Sequence, residues 1–227
     1  MPTARNMATG GATQATNVVK ETVKRTLGLL ELGANAVGVR PFKQLRVRVV
    51  ILRDEQGAPL CAMDDVRASW EEAQRIFSVQ AHVRLLAAGP RVVVAPGPSP
   101  SAALNVHCDD GAWQEDFDLA GDYFRRNCAQ TSTGKWLGYA APVTVFIVRD
   151  TSNKGGCSLG PLTNYVTLEA QMLNRARHRL LAHEVGHACG LWHSDKKENL
   201  MFPKGPGDKL TRFQVMVLRN SRHVTIV

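Results

Sequence analysis

The chain has 227 residues, 44% of them hydrophobic, which is enough to bury one sizeable core. It contains no run of about 18 apolar residues that could span a membrane. The net charge is +8, but the basic residues are dispersed and not clustered with aromatic ones, which argues against a nucleic-acid-binding protein. The N-terminus lacks the apolar segment of a secretory signal. The compartment therefore stays open, with cytoplasmic action, non-classical export and a leader missing from this sequence as the alternatives.

The first 40 residues differ in composition from the rest. Residues 1–16 are poor in apolar residues and rich in Ala, Thr and Gly, which predicts disorder. Asn17 can cap a short helix over residues 18–32. We therefore predict a flexible extension over residues 1–40, which can carry one short helix, and a single domain over residues 41–227.

The predicted domain alternates between strand and helix patterns, in an order typical of an α+β fold. Alternating or continuous apolar runs predict strands at residues 45–52, 82–87, 104–107, 143–148 and 164–168. The run at 143–148 is strongly β-prone and is expected inside the sheet. Helices are predicted at residues 65–79, 117–127, 171–189 and 211–221. In the first of these helices the inward stripe consists of Val66, Trp70, Ala73 and Phe77.

Residues 183–193 read His-Glu-Val-Gly-His-Ala-Cys-Gly-Leu-Trp-His, which places three imidazoles at a distinctive spacing. On a helix, His183 and His187 lie one turn apart on the same face. A continued helix would point His193 away from that face. We therefore expect Gly190 to adopt the left-handed conformation and to turn the chain back.

Three convergent imidazoles are the ligand set of a catalytic zinc site, in which the fourth position stays open to water. Glu184 follows the first histidine and lies beside that water, as a general base requires. Gly186 inside the helix costs about 1 kcal/mol relative to Ala, which indicates a close backbone approach at this point.

The histidine stretch resembles the signature of the metzincin clan of zinc proteases. The resemblance continues at residues 199–203, Asn-Leu-Met-Phe-Pro, which are similar to the metzincin Met-turn. It implies that Met201 is an apolar floor below the metal and not a ligand. Within the clan, His193-Ser194 and residues 200–203 are most similar to the matrixins. The specific match covers residues 180–203 alone.

The resemblance implies a fold and a mechanism. The fold would be a twisted, mixed five-stranded sheet with helices, an active-site helix, the Met-turn and a C-terminal helix. Residues 41–190 would form the upper and residues 191–227 the lower subdomain. The function would be that of a zinc-dependent endopeptidase, in which Glu184 is the general base for a metal-activated water. The substrate would be a protein or peptide, and we expect a monomer with no nucleic-acid or membrane partner.

The resemblance also suggests where substrate binds. An extended peptide can add to an exposed sheet edge, and the strand before the active helix is our candidate for that edge. A buried interior strand is nearly as compatible with the pattern. The candidate residues are Asn164, Tyr165 and Val166 in this strand, with Phe202 and Pro203 in the wall of the pocket beyond the cleaved bond.

Other features set limits on the site. Residues 151–157 lack the His and Asp residues of a second zinc or a calcium site, so we predict one catalytic Zn²⁺ and no calcium. Five cysteines leave at least one unpaired, and Cys108–Cys128 is the pair to test first. Cys61 is interpreted as a loop cysteine and not as an inhibitory zinc ligand. The histidines outside the motif, interpreted as surface or core residues, are His82, His107, His178 and His223.

Two alternatives to the endopeptidase remain. One is a catalytically silent metzincin-like module that binds a protein or peptide in the old cleft. Glu184 argues against it, because degenerate members often lose the base or a ligand, whereas all four chemical positions are present here. The other is a zinc amidase that acts on non-protein amides, which would share the same residues and the same chemistry.

Overall fold

A mixed sheet is the centre of the part of the chain that the computed structural model describes, residues 41–107, 120–129, 140–152, 154–160, 163–173 and 178–226. The strands are β1 (Lys43–Ile51), β2 (Val83–Val94), β3 (Val143–Val148), β4 (Gly156–Ser158), β5 (Tyr165–Glu169) and β6 (Val224–Ile226). The helices are α1 (Asp65–Ala81), α2 (Ser101–Leu104), α3 (Gly121–Asn127), α4 (Ala170–Leu173), α5 (Leu180–Ala188) and α6 (Arg212–Arg219). The extension predicted for residues 1–40, with its helix, lies outside the described residues.

The strand order is β2-β1-β3-β5-β4, and β6 pairs with β1 off this path. Pairs β1–β2, β1–β3 and β3–β5 are parallel, whereas β4 and β6 run antiparallel to their partners. This confirms the predicted mixed sheet with helices, with one correction. Among the described residues the sheet has six strands instead of five: β4 and β6, of three residues each, are too short to give a readable alternation, and the strand predicted at 104–107 is not formed.

The sheet separates two apolar cores, and β1 contributes to both. Its residues Leu45, Val47 and Val49 are fully buried on the side of α1 and α5, whereas Val50 faces the side of α2 and α3. Every residue of β3 is buried, and its neighbours are β1 and β5, which confirms the interior place predicted from its β-prone run. The alternation of residues along β1 therefore shows which of its side chains point into each core.

Helix α1 confirms the predicted amphipathic helix. Its four predicted inward residues are all buried, and the helix runs two residues beyond the predicted end. It ends at His82, which has φ +52° and whose N–H bonds the carbonyl of Phe77. Helix α6 likewise confirms the last predicted helix, since Thr211 and Gln214 form a reciprocal capping box at its start.

Three predicted elements differ from the structure. The strand predicted at 104–107 is wrong, because α2 ends at Leu104 and Asn105 makes only an isolated bridge to Asp150. Such short apolar runs do not distinguish strand from helix. The long helix predicted over 171–189 is also wrong, since α4 and α5 are separate and residues 178–179 form a turn. The strand predicted at 82–87 continues to Val94, and the start of the helix predicted at 117–127 lies outside the described residues.

The cysteines do not pair as expected. Cys128 is a free thiol, so the Cys108–Cys128 pairing is wrong. Cys157, in β4, is disulfide-bonded, and its partner lies outside the described residues. Cys61 and Cys189 are free, and burial raises the pKa of the Cys61 thiol to about 11.

Among the described helices, none combines the length and hydrophobicity that a bilayer crossing needs.

Candidate metal centre

Helix α5 carries the first two histidines and ends in a turn that reverses the chain. Gly190 has φ +91°, which confirms the predicted left-handed glycine. Its N–H donates to the carbonyl of His187 at 2.8 Å, and the N–H of Leu191 donates to the carbonyl of Gly186 at 3.0 Å. These two bonds form a Schellman motif. They bring His193 back toward the helix face that holds the other two histidines.

The three imidazoles meet at their Nε2 atoms. Nε2 of His187 lies 3.2 Å from Nε2 of His183 and 3.1 Å from Nε2 of His193. One ligand atom from each ring can be chosen so that all three lie within 4.8 Å of one another. Two nitrogens at about 2.0–2.1 Å from a tetrahedral zinc would be roughly 3.3 Å apart, so the observed spacing suits this ion.

Backbone carbonyls fix the tautomer of two of these rings. Nδ1 of His183 lies 2.8 Å from the carbonyl of Leu200, and Nδ1 of His187 lies 2.7 Å from that of Leu191. Because a carbonyl only accepts, each Nδ1 carries the proton. In the neutral rings each Nε2 then presents a lone pair, and the 3.2 Å contact between them is not a hydrogen bond.

Burial keeps the rings neutral. It lowers the pKa of His183 to about 3 and that of His187 to about 4, and it also lowers the pKa of His193. Two unprotonated nitrogens that face one another at this distance repel unless a cation lies between them. The donor set of this centre therefore fits a divalent metal that prefers imidazole, such as zinc.

Glu184 lies on α5 and is almost fully buried, with 4% of its surface exposed. It packs directly against Gly156 in β4. A Cβ at Gly156 would lie 2.7 Å from Glu184 Cγ and 2.7 Å from its Oε1, so only glycine leaves room for this carboxyl. Burial raises the pKa of Glu184 to about 8, and the nearby Arg179 acts in the opposite direction. Such a strongly shifted buried acid is typical of a functional site.

Met201 is fully buried against α5. A Cβ at Gly186 would lie 3.0 Å from Met201 Sδ and 3.4 Å from Leu191 Cδ1. This close contact explains why glycine stands inside the helix, and it confirms the close approach that the low helix propensity of glycine indicated. The segment at residues 199–203, named here the Met201 turn, is tied to α6 by Asn199, whose side-chain amide exchanges two hydrogen bonds with Gln214 at 2.8 and 3.0 Å. Asn199 Oδ1 also accepts the N–H of Met201 at 2.9 Å.

The predicted substrate edge is wrong. Strand β5 pairs with β3 on one side, and its residues 166–168 pair with β4 on the other. Tyr165 and Val166 are both buried and belong to opposite cores. Asn164 precedes the strand, and its carbonyl accepts the N–H of Thr144. Among the described strands, the outer one on this side is β4, which the sequence presents only as a loop with two glycines. A single sequence does not tell an interior strand from an edge strand when both are apolar.

The remaining candidates lie near the Met201 turn or apart from the centre. Phe202 is half-buried and Pro203 is exposed. The histidines outside the motif do not join the three-histidine group among the described residues. His223 is buried and bonds the carbonyl of Ala141, and exposed His107 lies 3.1 Å from the hydroxyl of Ser152.

Two neighbours of the centre escaped sequence reasoning. Arg179 bonds carbonyls of the Met201 turn, more than twenty residues away, and Gly156 in β4 contacts Glu184 of α5. Both contacts are long-range, and neither follows from local periodicity. The consecutive glycines 155–156 were a signal, but they also fit an ordinary loop.

No protein-family model matches the sequence, and no curated protein matches it. Among solved structures, the fold is similar to metalloproteinase-II from Bacteroides fragilis, with TM-score 0.50 and 13% identity over 77% of this chain and 52% of that one. It is also similar to archaemetzincin from Methanopyrus kandleri, with TM-score 0.47 and 14% identity over 78% and 95% of the two chains. A zinc-dependent peptidase from Methanocorpusculum labreanum matches with TM-score 0.45 and 11% identity over 75% and 99%.

The chain thus spans about half the length of the Bacteroides protein. At 13% identity, that likeness establishes a shared fold and leaves the reaction to be argued from the residues of this chain.

Proposed function

We propose that this chain is a zinc-dependent endopeptidase of the metzincin clan. The observation that carries the proposal is the meeting of three imidazole Nε2 atoms, at 3.1 and 3.2 Å, with two of the rings oriented by Nδ1–H bonds to backbone carbonyls. Histidines that ligate a metal almost always donate their other ring N–H to a partner of this kind.

The residues have distinct roles in this proposal. His183, His187 and His193 would hold the ion as neutral donors. A bound zinc supplies Lewis acidity, which lowers the pKa of water and polarises the carbonyl of the scissile bond. Glu184 would take the proton of the attacking water on its carboxylate and then deliver it to the leaving amine nitrogen. Its burial supports this role, because burial raises the pKa of a carboxyl from its usual acidic range toward neutrality.

Substrate would bind in extended form along β4. This strand is the outer member of the sheet path, and it contacts Glu184 through Gly156. Main-chain groups at a strand edge can pair with a peptide of any sequence. Phe202 and Pro203 would form part of the wall for the residue after the cleaved bond. The location of β4 beside the proposed base supports a scissile peptide bond held close to Glu184.

Three finer statements belong to the same proposal. The sequence of residues 193–194 and 200–203 supports a place nearest the matrixins. Met201, packed against Gly186, would be the apolar floor of the centre. The protein would use one catalytic zinc ion without calcium and would act as a monomer, with residues 41–190 and 191–227 as its upper and lower subdomains.

Cleavage of a peptide library by wild type and by Glu184→Gln tests the proposal. We expect the variant to bind one zinc and to lose about 10²–10⁴-fold in kcat, because an amide cannot accept the proton. Glu169→Gln is the matched control, since Glu169 is also buried but bonds Thr151 instead. If the Glu184→Gln variant kept the kcat of the wild type, Glu184 would be rejected as the base. A wild-type protein that binds less than half an equivalent of zinc would reject the metal centre itself.

A further inference from the structure

Arg179 connects the start of the active helix to the turn that follows the third histidine. It lies immediately before α5, and its guanidinium donates to two backbone carbonyls in the turn. Nη1 donates to the carbonyl of Leu200, and Nη2 donates to that of Phe202 at 2.7 Å. These carbonyls stand on either side of Met201. One planar guanidinium therefore holds both flanks of that residue with two donors in a fixed geometry.

One of these carbonyls also orients a proposed metal ligand. The carbonyl of Leu200 accepts Nδ1–H of His183 at 2.8 Å in addition to the bond from Arg179. Nη1 lies 3.4 Å from that Nδ1, so the two donors converge on the same oxygen. A carbonyl oxygen has two lone pairs and can accept both bonds.

The helix alone does not set the direction of the His183 ring. Its backbone places Cβ, but the terminal torsion of a histidine is broad, and the partner of Nδ1 selects the angle at which Nε2 points. That partner belongs to the turn at residues 199–203. The position of the Leu200 carbonyl relative to α5 therefore controls whether Nε2 of His183 meets the other two nitrogens.

We propose that Arg179 is a positioning residue, which fixes the Leu200 carbonyl relative to α5 and thereby orients His183 toward the metal. This inference rests on the proposed zinc centre and adds to it a residue outside the histidine motif. Lysine at this position would carry its three donors on a single nitrogen and would lack the planar fork that reaches both carbonyls from separate nitrogens, so we expect it to hold the pair less firmly.

Arg53 offers a matched control. It is half-buried like Arg179, and it also bridges two backbone carbonyls, with Nε 2.7 Å from that of Ala95 and Nη1 2.6 Å from that of Gly57. It belongs to the turn after β1, and these bonds include no residue of the Met201 turn. Loss of Arg53 thus reports the general cost of removing a bridging guanidinium.

The experiment measures the Kd for zinc by competition with a chromogenic chelator, using the full chain. Arg179→Met should weaken zinc binding by about 10–100-fold, the range found when a partner of a ligating histidine is lost. Arg179→Lys should lie between this variant and wild type. Arg53→Met should lower Tm while keeping the wild-type Kd. The absorption bands of the cobalt-substituted protein should change in Arg179→Met and stay unchanged in Arg53→Met.

A wild-type Kd in Arg179→Met, or an equal loss in the two methionine variants, would overturn the role of Arg179 and leave the proposed zinc centre standing. Failure of the wild type to bind zinc would overturn both. If Arg179→Met does not fold, the pair Arg179→Lys and Arg53→Lys decides the matter by the same criterion.

Discussion

Two close contacts hold α5 from different sides, and each depends on a missing Cβ. On one side Gly186, within the helix, admits the sulfur of Met201. On the other side Gly156, in β4, admits the carboxyl of Glu184. Because residues 184 and 186 are about 200° apart on a helix, the two contacts lie on nearly opposite faces.

The two sides differ in how they are held. The Met201 turn is fixed by hydrogen bonds from Asn199 and Arg179, which connect it to α6 and to the start of α5. On the other side, β4 is a three-residue strand that pairs with β5 and is cross-linked by the disulfide of Cys157, and its contact with Glu184 is steric. The Met201 turn is therefore fixed by a polar network, whereas the contact between β4 and the proposed base depends on shape.

The most damaging change to this arrangement should be Gly156→Ala. The new methyl group would occupy the space of the Glu184 side chain, and a displacement of about 1 Å at a catalytic group typically costs about 100-fold in rate. The histidines are not touched, so zinc content should stay at one equivalent while kcat falls. The measurement is peptide hydrolysis together with metal analysis.

Gly97→Ala provides the control for that substitution, because a Cβ at Gly97 meets no atom within 4 Å. Its kcat should equal that of the wild type. Equal kcat in Gly156→Ala and Gly97→Ala would mean that the shape of β4 does not position Glu184.

Asn199→Ala should have the next largest effect, this time on stability. The change removes the amide that pairs with Gln214 and the oxygen that accepts the N–H of Met201, and leaves buried polar groups unsatisfied. We expect a loss of about 2 kcal/mol in the free energy of unfolding, measured by urea denaturation. Exposed Asn127, which bonds the carbonyl of Tyr123, is the control, and Asn127→Ala should cost about 0.5 kcal/mol or less. Similar losses in the two variants would show that the Met201 turn is not held by this network.

The histidines and the turn that brings them together could be predicted from the local sequence. The spacing of His183 and His187 gives their shared face, and Gly190 gives the reversal that returns His193, because both depend on backbone geometry within one turn. The cost of a glycine in a helix likewise indicated the close approach at Gly186. Strands β1 and β3 were readable for the same reason, since their apolar patterns reflect which faces are buried.

The rest of the site depends on pairing between distant segments, which periodicity does not encode. The pattern of residues 164–168 gave a strand but not its interior place, and β4 was hidden in a glycine-containing loop. The two carbonyls that Arg179 holds lie in another segment, so nothing in its local sequence indicated these bonds. The same reason explains the wrong Cys108–Cys128 pairing, because connectivity depends on the fold and not on spacing.

The smallest effect we expect is the coupling between Gly186 and Met201. Gly186→Ala alone should change stability little, because the gain of about 1 kcal/mol in helix propensity is offset by the methyl group that meets Met201 Sδ at 3.0 Å. In a Met201→Ala background the sulfur is gone, so the same substitution should stabilise the protein by about 1 kcal/mol. Urea denaturation of the four proteins measures this double-mutant cycle. Additive effects would mean that Leu191, whose Cδ1 lies 3.4 Å from the same position, and not Met201, is what requires glycine in the helix.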